Sequence, residues 1–340
     1  MLGRIAITEH ILRRGTGTFR PLANWLGVRA GGSSRNLQRA VVDFGAEESF
    51  ATASERLELH HGVALSATSV RKLTLEHARR IRQKQVATGS QGALPEKGST
   101  CIIGEIDGTM LPVVHTDKGS AGNARKNREC VWKETRLCAA REQGKTTTRY
   151  TVTDAGVEEA GYAWAKAVFE AGWGLNTKLH LIADGAAWIY LQSLMMFGKD
   201  ASFIVDFFHV CEYLAQAQST AGTHSKWLEV QQNRLKTGHP ERVLKALWPH
   251  IEHADVPDEK APVRVAYRYL ENRIGQLDYQ SAIEKKLPIG SGMIEGGHRH
   301  VLQKRIKIPG AWWKENNLHD MAHLRVCRAN KDEATYWNQL

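Results

Sequence analysis

Three carboxylates stand out for the residues around them. In GEIDGTML, Asp107 follows an apolar run and precedes Gly108, and in LHLIADGAAW Asp184 does the same before Gly185. A carboxylate at the carboxyl end of a buried strand has a rigid base and an open mouth, where ligands of α/β sheets collect. One such case decides nothing, because Asp-Gly is also an ordinary turn signal. Two aspartates from strands of one domain can converge, and a third acid would complete a site for hard divalent cations, which take oxygen ligands and retain water. Glu295, in IGSGMIEGGHRH, is the candidate: it lies in the first turn of a helix opened by a glycine-flanked serine, with Ser291 as the expected cap. That position favours negative charge, and the N–H groups there favour phosphate. The plainer alternative is a first-turn glutamate with no ligand.

Three regions must position these groups. Residues 1–90 read as helical and basic, and through Thr100 the chain holds 15 Lys and Arg against 8 Asp and Glu. Apolar and small residues recur at helical spacing from Glu47 to His61, Gly62 breaks the pattern, and a second helix follows with Ser66 or Thr68 as its cap. Two helices around a short glycine-containing turn make a helix-turn-helix candidate. Arg71, Lys72, Arg79, Arg80, Arg82 and Lys84 on the second helix suit phosphate or groove contact, although an ordinary hairpin with a solvated basic face fits them too. Residues 91–100 are small, polar and glycine- and proline-bearing, and read as a linker. From 101 to 210 three β-like runs precede alternating helix and strand, which indicates an α/β domain with a mixed central sheet. From 211 to 287 only helical patterns recur, and 288–331 returns to the sheet-bearing region.

Asp206 and His209, in VDFFHV, sit at a third strand-to-helix transition, as support for a metal site or as a helix cap with a satisfied histidine. From Gly296 to Lys331 there are 8 Lys and Arg against 2 acids. Arg299, Lys304, Arg305 and Lys307 lie on or just past the Glu295 helix, placed to hold a nucleic-acid backbone or simply to face water. Trp312 and Trp313 suit stacking on an unpaired base, or one in the core and the other over the helix.

Lys and Arg number 46 against 36 acids, a formal net charge of +10 that favours a polyanionic partner. No apolar run is long enough to span a membrane, and the expected location is the cytoplasm, with nucleoid association. The five cysteines form no C-x-x-C pair, which argues for reduced thiols over a zinc site or a disulfide framework.

Taken together, IDGTM, IADGAAWI, VDFFHVCEYL and IGSGMIEGGHRHVLQKRIKIPGAWW resemble the DDE transposases of the ISKra group of bacterial insertion sequences, from about Arg20 to Trp313. The resemblance implies an RNase H-like catalytic fold with a helical insertion at 211–287 and a triad of Asp107, Asp184 and Glu295. It also implies two Mg²⁺ or Mn²⁺ ions, double-stranded DNA (element ends and target) as partner, and a homodimer or higher oligomer on it. The expected activity is metal-dependent strand cleavage and strand transfer. Two other classes stay open. One is a catalytically silent, transposase-derived DNA-binding protein, favoured by the lack of the longer, cysteine-paired N-terminal region common in the group. The other is an RNase H-like nuclease.

Overall fold

The computed structural model describes residues 8–15, 17–25, 33–87, 92–116, 128–221 and 226–340. The chain divides into two compact units, one of Met1–Thr88, Met110–Lys133 and Arg299–Leu340, the other of Gly89–Thr109 and Glu134–His298. The first unit therefore takes in far more than the expected 1–90 region.

That unit opens with two short antiparallel strands, β1 (Leu12–Arg14) and β2 (Gly17–Phe19), and one turn of helix, α1 (Pro21–Trp25). Three longer helices follow: α2 (Arg35–Glu47), α3 (Phe50–His61) and α4 (Ala67–Ala87). Serine side chains start each one. Ser34 Oγ accepts from Leu37 N at 3.3 Å, Ser49 Oγ from Thr52 N at 3.1 Å and Ser66 Oγ from Ser69 N at 3.2 Å. Gly62 closes α3 with a φ of +64°, a left-handed conformation that glycine takes without penalty. Val41, Ala53, Leu57 and Val70 fill the space between the three helices.

The second unit is a mixed α/β structure on a five-stranded sheet, β3 (Cys101–Thr116), β4 (Arg128–Glu142), β5 (Arg149–Thr153), β6 (Lys178–Ala183) and β7 (Ser202–Val205), of which β3 from Met110 onward and β4 up to Lys133 are counted in the first unit. The strand order is β5-β4-β3-β6-β7, with β4 and β5 antiparallel and β3, β6 and β7 parallel. Helices α5 (Val157–Glu170) and α6 (Ala187–Phe197) make the crossovers. From β3 the chain first builds to one side and then jumps to the other. The gap between β3 and β6 is thus a topological switch point, where open α/β sheets hold ligands.

Five helices complete this unit: α7 (Phe207–Ala221), α8 (Trp227–Lys236), α9 (Pro240–Leu247), α10 (Pro262–Glu271) and α11 (Tyr279–Glu284). They share one continuous core with the sheet, Leu214, Leu235, Val243, Leu270 and Tyr279 lying in the same cluster as Ile102, Leu181 and Val205. The block expected as an insertion over 211–287 thus packs as part of the sheet-bearing unit and begins at Phe207. Residues 95–100, expected as linker, are also bound in. Leu175 N donates to the Pro95 carbonyl (2.9 Å), Ser99 N to that of Gly172 (2.8 Å) and Lys178 N to that of Thr100 (3.0 Å). Gln91, where that linker was expected to begin, lies outside the described residues. The six-residue α12 (Gly292–Gly297) and a π-helical turn, His298–Gln303, carry the chain onward.

The last elements, α13 (Lys304–Ile306), α14 (Glu315–Ala329) and α15 (Glu333–Asn338), finish the first unit. Residues Leu318–Cys327 of α14 are all buried. Within the same unit Asp320 of α14 faces Arg79 (3.5 Å) and Arg82 (3.6 Å) of α4, and His77 Nδ1 lies 2.7 Å from the Tyr336 hydroxyl. Arg305 is buried here too. Its Nε donates to the Gly45 carbonyl at 3.0 Å, and its guanidinium lies 4.6 Å from the Phe50 ring centroid and 5.0 Å from that of Trp313. Burial pulls its pKa down to about 10, which leaves it charged at neutral pH. Arg305→Ala should destabilise the protein by roughly 2–4 kcal/mol, from a lost cation–π contact and an unsatisfied carbonyl. Urea unfolding of the variant checks this, and an unchanged midpoint would refute the packing role.

Candidate active site

Asp107 and Asp184 reach the switch point from neighbouring strands. Cys101 pairs with Lys178 and Glu105 with Ile182, so the same register carried two residues further sets Asp107 beside Asp184. β3 does not end at Asp107, as expected from the glycine after it, but runs on to Thr116. What ends there is its pairing with β6. The Asp107 side chain is 38% exposed; its Oδ1 accepts from Gly108 N at 2.7 Å, and its Oδ2 lies 3.2 Å from His298 Nε2.

Asp184 follows the last residue of β6, and its Oδ1 accepts from Ala186 N at 2.9 Å. The turn beyond it is clamped by α10 and the residue just past it. Tyr269 donates its hydroxyl to the Asp184 carbonyl, Arg273 Nε donates to the Gly185 carbonyl at 2.7 Å, and the Arg273 guanidinium covers the Tyr269 ring at 4.0 Å. Burial pushes the Tyr269 phenol well up, so it stays a donor. Gly185 takes a φ of +83°, and a Cβ there would fall 2.8 Å from the Tyr269 hydroxyl. No other residue fits this turn without strain.

Glu295 is exposed on α12, and two buried acids hold that helix in place. Asp206, 4% exposed, accepts from Ser291 N (2.8 Å) and the Ser291 hydroxyl on one oxygen, and from Phe208 N (2.6 Å) and His209 N (3.2 Å) on the other. It therefore caps α7 and ties it to the start of α12. With donors on both oxygens it acts as an anchor, which matches the helix-cap reading of the two that the sequence left open. His209 points elsewhere, its Nδ1 3.5 Å from Glu212 and its ring against those of Tyr213 and Tyr269.

The second acid is Glu105. It is fully buried, its Oε2 accepts from Ile294 N at 2.7 Å, and its Oε1 has no hydrogen-bond partner among the described residues. Burial pushes its pKa up to about 8 against the pull of the Ile294 hydrogen bond, with nearby Asp206 adding to the rise. The acceptor at this helix start is thus a side chain of the protein, where phosphate was expected, and Ser291 makes no side-chain cap. One turn on, His298 is buried with no partner for Nδ1 among the described residues, and its Nε2 approach to Asp107 is not aligned as a hydrogen bond. Ile294 and His298 therefore tie α12 to Glu105 and Asp107 on either side of Glu295. Gly297 permits the close seat, since a Cβ there would meet Tyr150 at 2.8 Å and Leu137 at 2.9 Å. Sequence reasoning missed both Glu105 and His298. The signal for Glu105 was an acid two residues from Asp107, hence on the same side of an otherwise apolar strand.

The donor set of Asp107, Asp184 and Glu295 is all oxygen, which suits Mg²⁺ or Mn²⁺. Among the described residues no group of three or more His, Cys, Asp or Glu side chains is drawn together tightly enough to hold a metal ion. The two aspartates are instead turned onto local partners, Gly108 and His298 for Asp107 and Ala186 for Asp184.

The expected nucleic-acid contacts divide into several groups, all within the first unit. Arg71, Lys72 and Arg299 are exposed. Arg79 and Arg82 face the buried Asp320 of α14, with Arg79 still 60% exposed; Arg80 bonds Glu76 one turn away on α4 itself at 2.5 Å; and Lys84 reaches Gln339 at 3.2 Å and lies 5.4 Å from the Tyr336 ring centroid. Lys304 lies 3.4 Å from Glu47, and Lys307 stands over the ring of Trp132. Arg305 is interior and cannot touch a DNA backbone. Trp313 is interior as well; its Nε1 donates to the Ile306 carbonyl at 2.9 Å, which removes it as a stacking surface. Trp312 is exposed. No described helix is long and apolar enough to cross a membrane.

The profile of an uncharacterised protein family, UPF0236, matches residues 28–337. No curated protein matches the chain. Among solved structures, the chain is similar to one described as the Drosophila P element transposase strand transfer complex, at 10% identity and a TM-score of 0.33, covering 94% of this chain and 83% of that one. A TM-score that low does not define a common fold.

Glu105 makes stability depend on pH. Its folded pKa of about 8 lies above the ordinary 4.5, so the folded protein holds the proton through a range in which the unfolded chain releases it. The stabilisation is complete below the lower value and is lost as pH rises through the upper one, with a limiting slope on the order of 1.4 kcal/mol per pH unit. Glu105→Gln, which keeps an acceptor for Ile294 N, should flatten that slope. Denaturant unfolding of parent and variant at pH values between 5 and 9 (roughly the window set by these pKa values) measures it, and parallel curves would show that Glu105 is ionised throughout.

Proposed function

The chain belongs to the uncharacterised protein family UPF0236, and we propose that it is a DDE-type transposase, a divalent-metal-dependent enzyme that cuts and joins DNA strands. The observation that carries this reading is the register of β3 on β6, which sets Asp107 beside Asp184 at the switch point, with the helix of Glu295 tied to the same strand. Sequence separation alone would not predict that meeting. The motif resemblance supplies the reaction class; the fold supplies a reason for each motif to be where it is.

Asp107, Asp184 and Glu295 would hold the ions. When bound, two Mg²⁺ or Mn²⁺ ions stabilise the negative charge that develops on the attacking and leaving oxygens of a phosphodiester. Tyr269 and Arg273 fix the backbone under Asp184, so that its carboxylate is presented from a rigid turn. Glu105 and Asp206 fix the start of α12, which sets the height of Glu295 above the sheet. His298 is packed against Asp107 at the end of α12, its Nε2 3.2 Å from the carboxylate. Water attacks the phosphorus at the element end and a 3′-hydroxyl departs. That hydroxyl then attacks a phosphodiester of target DNA and displaces its 3′-oxygen. No protein nucleophile is required, and the exposed cations Arg71, Lys72 and Arg299 are available to the backbone.

Asp107→Ala, Asp184→Ala and Glu295→Ala should each lower cleavage in Mg²⁺ or Mn²⁺ by at least roughly 10²–10³-fold. Binding to the same DNA should persist or tighten, because one negative charge facing the phosphates is gone. Paired cleavage and gel-shift assays on DNA carrying the sequences that flank the gene distinguish the two effects. A Glu295→Ala protein that cuts as fast as the parent would reduce Glu295 to an ordinary helix residue and sink the triad.

A further inference from the structure

Two of the tryptophans that the first unit leaves in water carry a cation against the ring. Trp132 is 55% exposed and Trp312 is 54% exposed. Lys307 Nζ lies 5.6 Å from the Trp132 ring centroid, and the Arg128 guanidinium lies 5.3 Å from that of Trp312. Arg128 and Trp132 are four residues apart on β4, so strand alternation puts them on one side, about 13 Å from each other. Lys307 and Trp312 come from the opposite partner, a loop closed at its base. Trp313 Nε1 donates to the Ile306 carbonyl at 2.9 Å, and Val114 N donates to the Trp313 carbonyl at 2.7 Å. Strand and loop thus present two aromatic–cation pairs in opposite order. The neighbouring acids do not oppose this. Glu129 alternates to the other side of the strand, Glu315 is bonded to Lys133, and Glu134, which alternates to the side of Trp132, is paired with Arg136.

An exposed indole stabilises a cation over its face, and the cation keeps N–H donors for a further anion. A base stacking on the ring and a phosphate meeting the cation are the two halves of one nucleotide. In a duplex the base faces are covered by their neighbours, so only an unpaired nucleotide can offer one. We propose that Trp132 and Trp312, with Lys307 and Arg128, form a stacking platform for unpaired nucleotides of a DNA strand. The choice of DNA rests on the function proposed above, but binding at this platform needs neither the carboxylates nor a metal. Trp132 and Arg128 take the place that sequence reasoning gave to Trp313 and Arg305.

The test uses the full-length protein in EDTA, with binding followed by fluorescence anisotropy. The probes are a labelled duplex of roughly 20 base pairs, blunt or with an oligothymidine tail of about 10 nucleotides. The parent should prefer the tailed duplex. Trp132→Ala and Trp312→Ala should each weaken that binding roughly 5- to 100-fold and leave blunt-duplex affinity unchanged. Trp132→Phe and Trp312→Phe should keep most of the preference, which separates lost stacking from lost folding. A parent without preference, or alanine variants that lose equally on both probes or on neither, would overturn the platform. An RNA tail bound more tightly than the DNA tail, with the same losses, would overturn the assignment to DNA. Failure of the triad reading shows elsewhere, as metal-dependent cleavage that survives Asp107→Ala.

Discussion

The parallel pairing of β3 with β6 decides where everything else in the second unit can go. A parallel pair needs a long crossover, and here that crossover contains β4, β5 and α5. Once the register is set, the residues just past the paired part of each strand must share one edge. A slip of one residue would turn Asp107 to the other side of the sheet and move Glu105 away from Ile294. Ile102 and Ile103 of β3 and Leu181 and Ile182 of β6 are buried at successive positions, so both faces of the pair are closely packed and a slip would misfit side chains on each. The constraint that builds the sheet is thereby the same one that brings the acids together.

Buried polar groups then carry that constraint to elements distant in sequence. Asp206 joins the start of α7 to the start of α12, and Glu105 receives a backbone N–H from α12 in the middle of the unit. Burying a carboxyl is costly, and the cost is offset only where it is hydrogen-bonded or neutral. Asp206 takes the first route, with donors on both oxygens; Glu105 takes the second. Helices of the 207–284 block contribute in kind, since Tyr269 reaches back to the strand end at Asp184 and the Tyr279 hydroxyl donates to the Val205 carbonyl at 3.0 Å. Those helices act as a buttress under the sheet edge.

Much of this was legible in the residues. Strand-end aspartates followed by glycine, serine-started helices and the alternation of apolar runs are local signals, and they marked the mixed sheet and the helix pair in the first unit. What could not be read was which charged residues would be covered by others distant in sequence. Arg305 and Trp313 look like a cation and an aromatic of a surface tail, yet a neighbour hundreds of residues away decides their burial, as Gly45 does for Arg305. The same holds for Arg79 and Arg82, whose partner Asp320 lies near the end of the chain. Glu105 was hidden for the opposite reason: an acid within an apolar strand looks like noise until a helix start is found against it.

The first unit is made from three separate stretches, and that has a bearing on how the molecule can come into being. Helix α4 presents Leu75, His77, Ala78 and Ile81 for burial, but α14 and α15, which supply Asp320 and Tyr336 beside it, are synthesised only after the whole sheet-bearing unit. As the chain leaves the ribosome, helix α4 must remain incompletely packed until α14 and α15 have emerged. A chain broken off before Glu315 would therefore lose its beginning as well as its end, with an apolar helix face left open to aggregation or proteolysis.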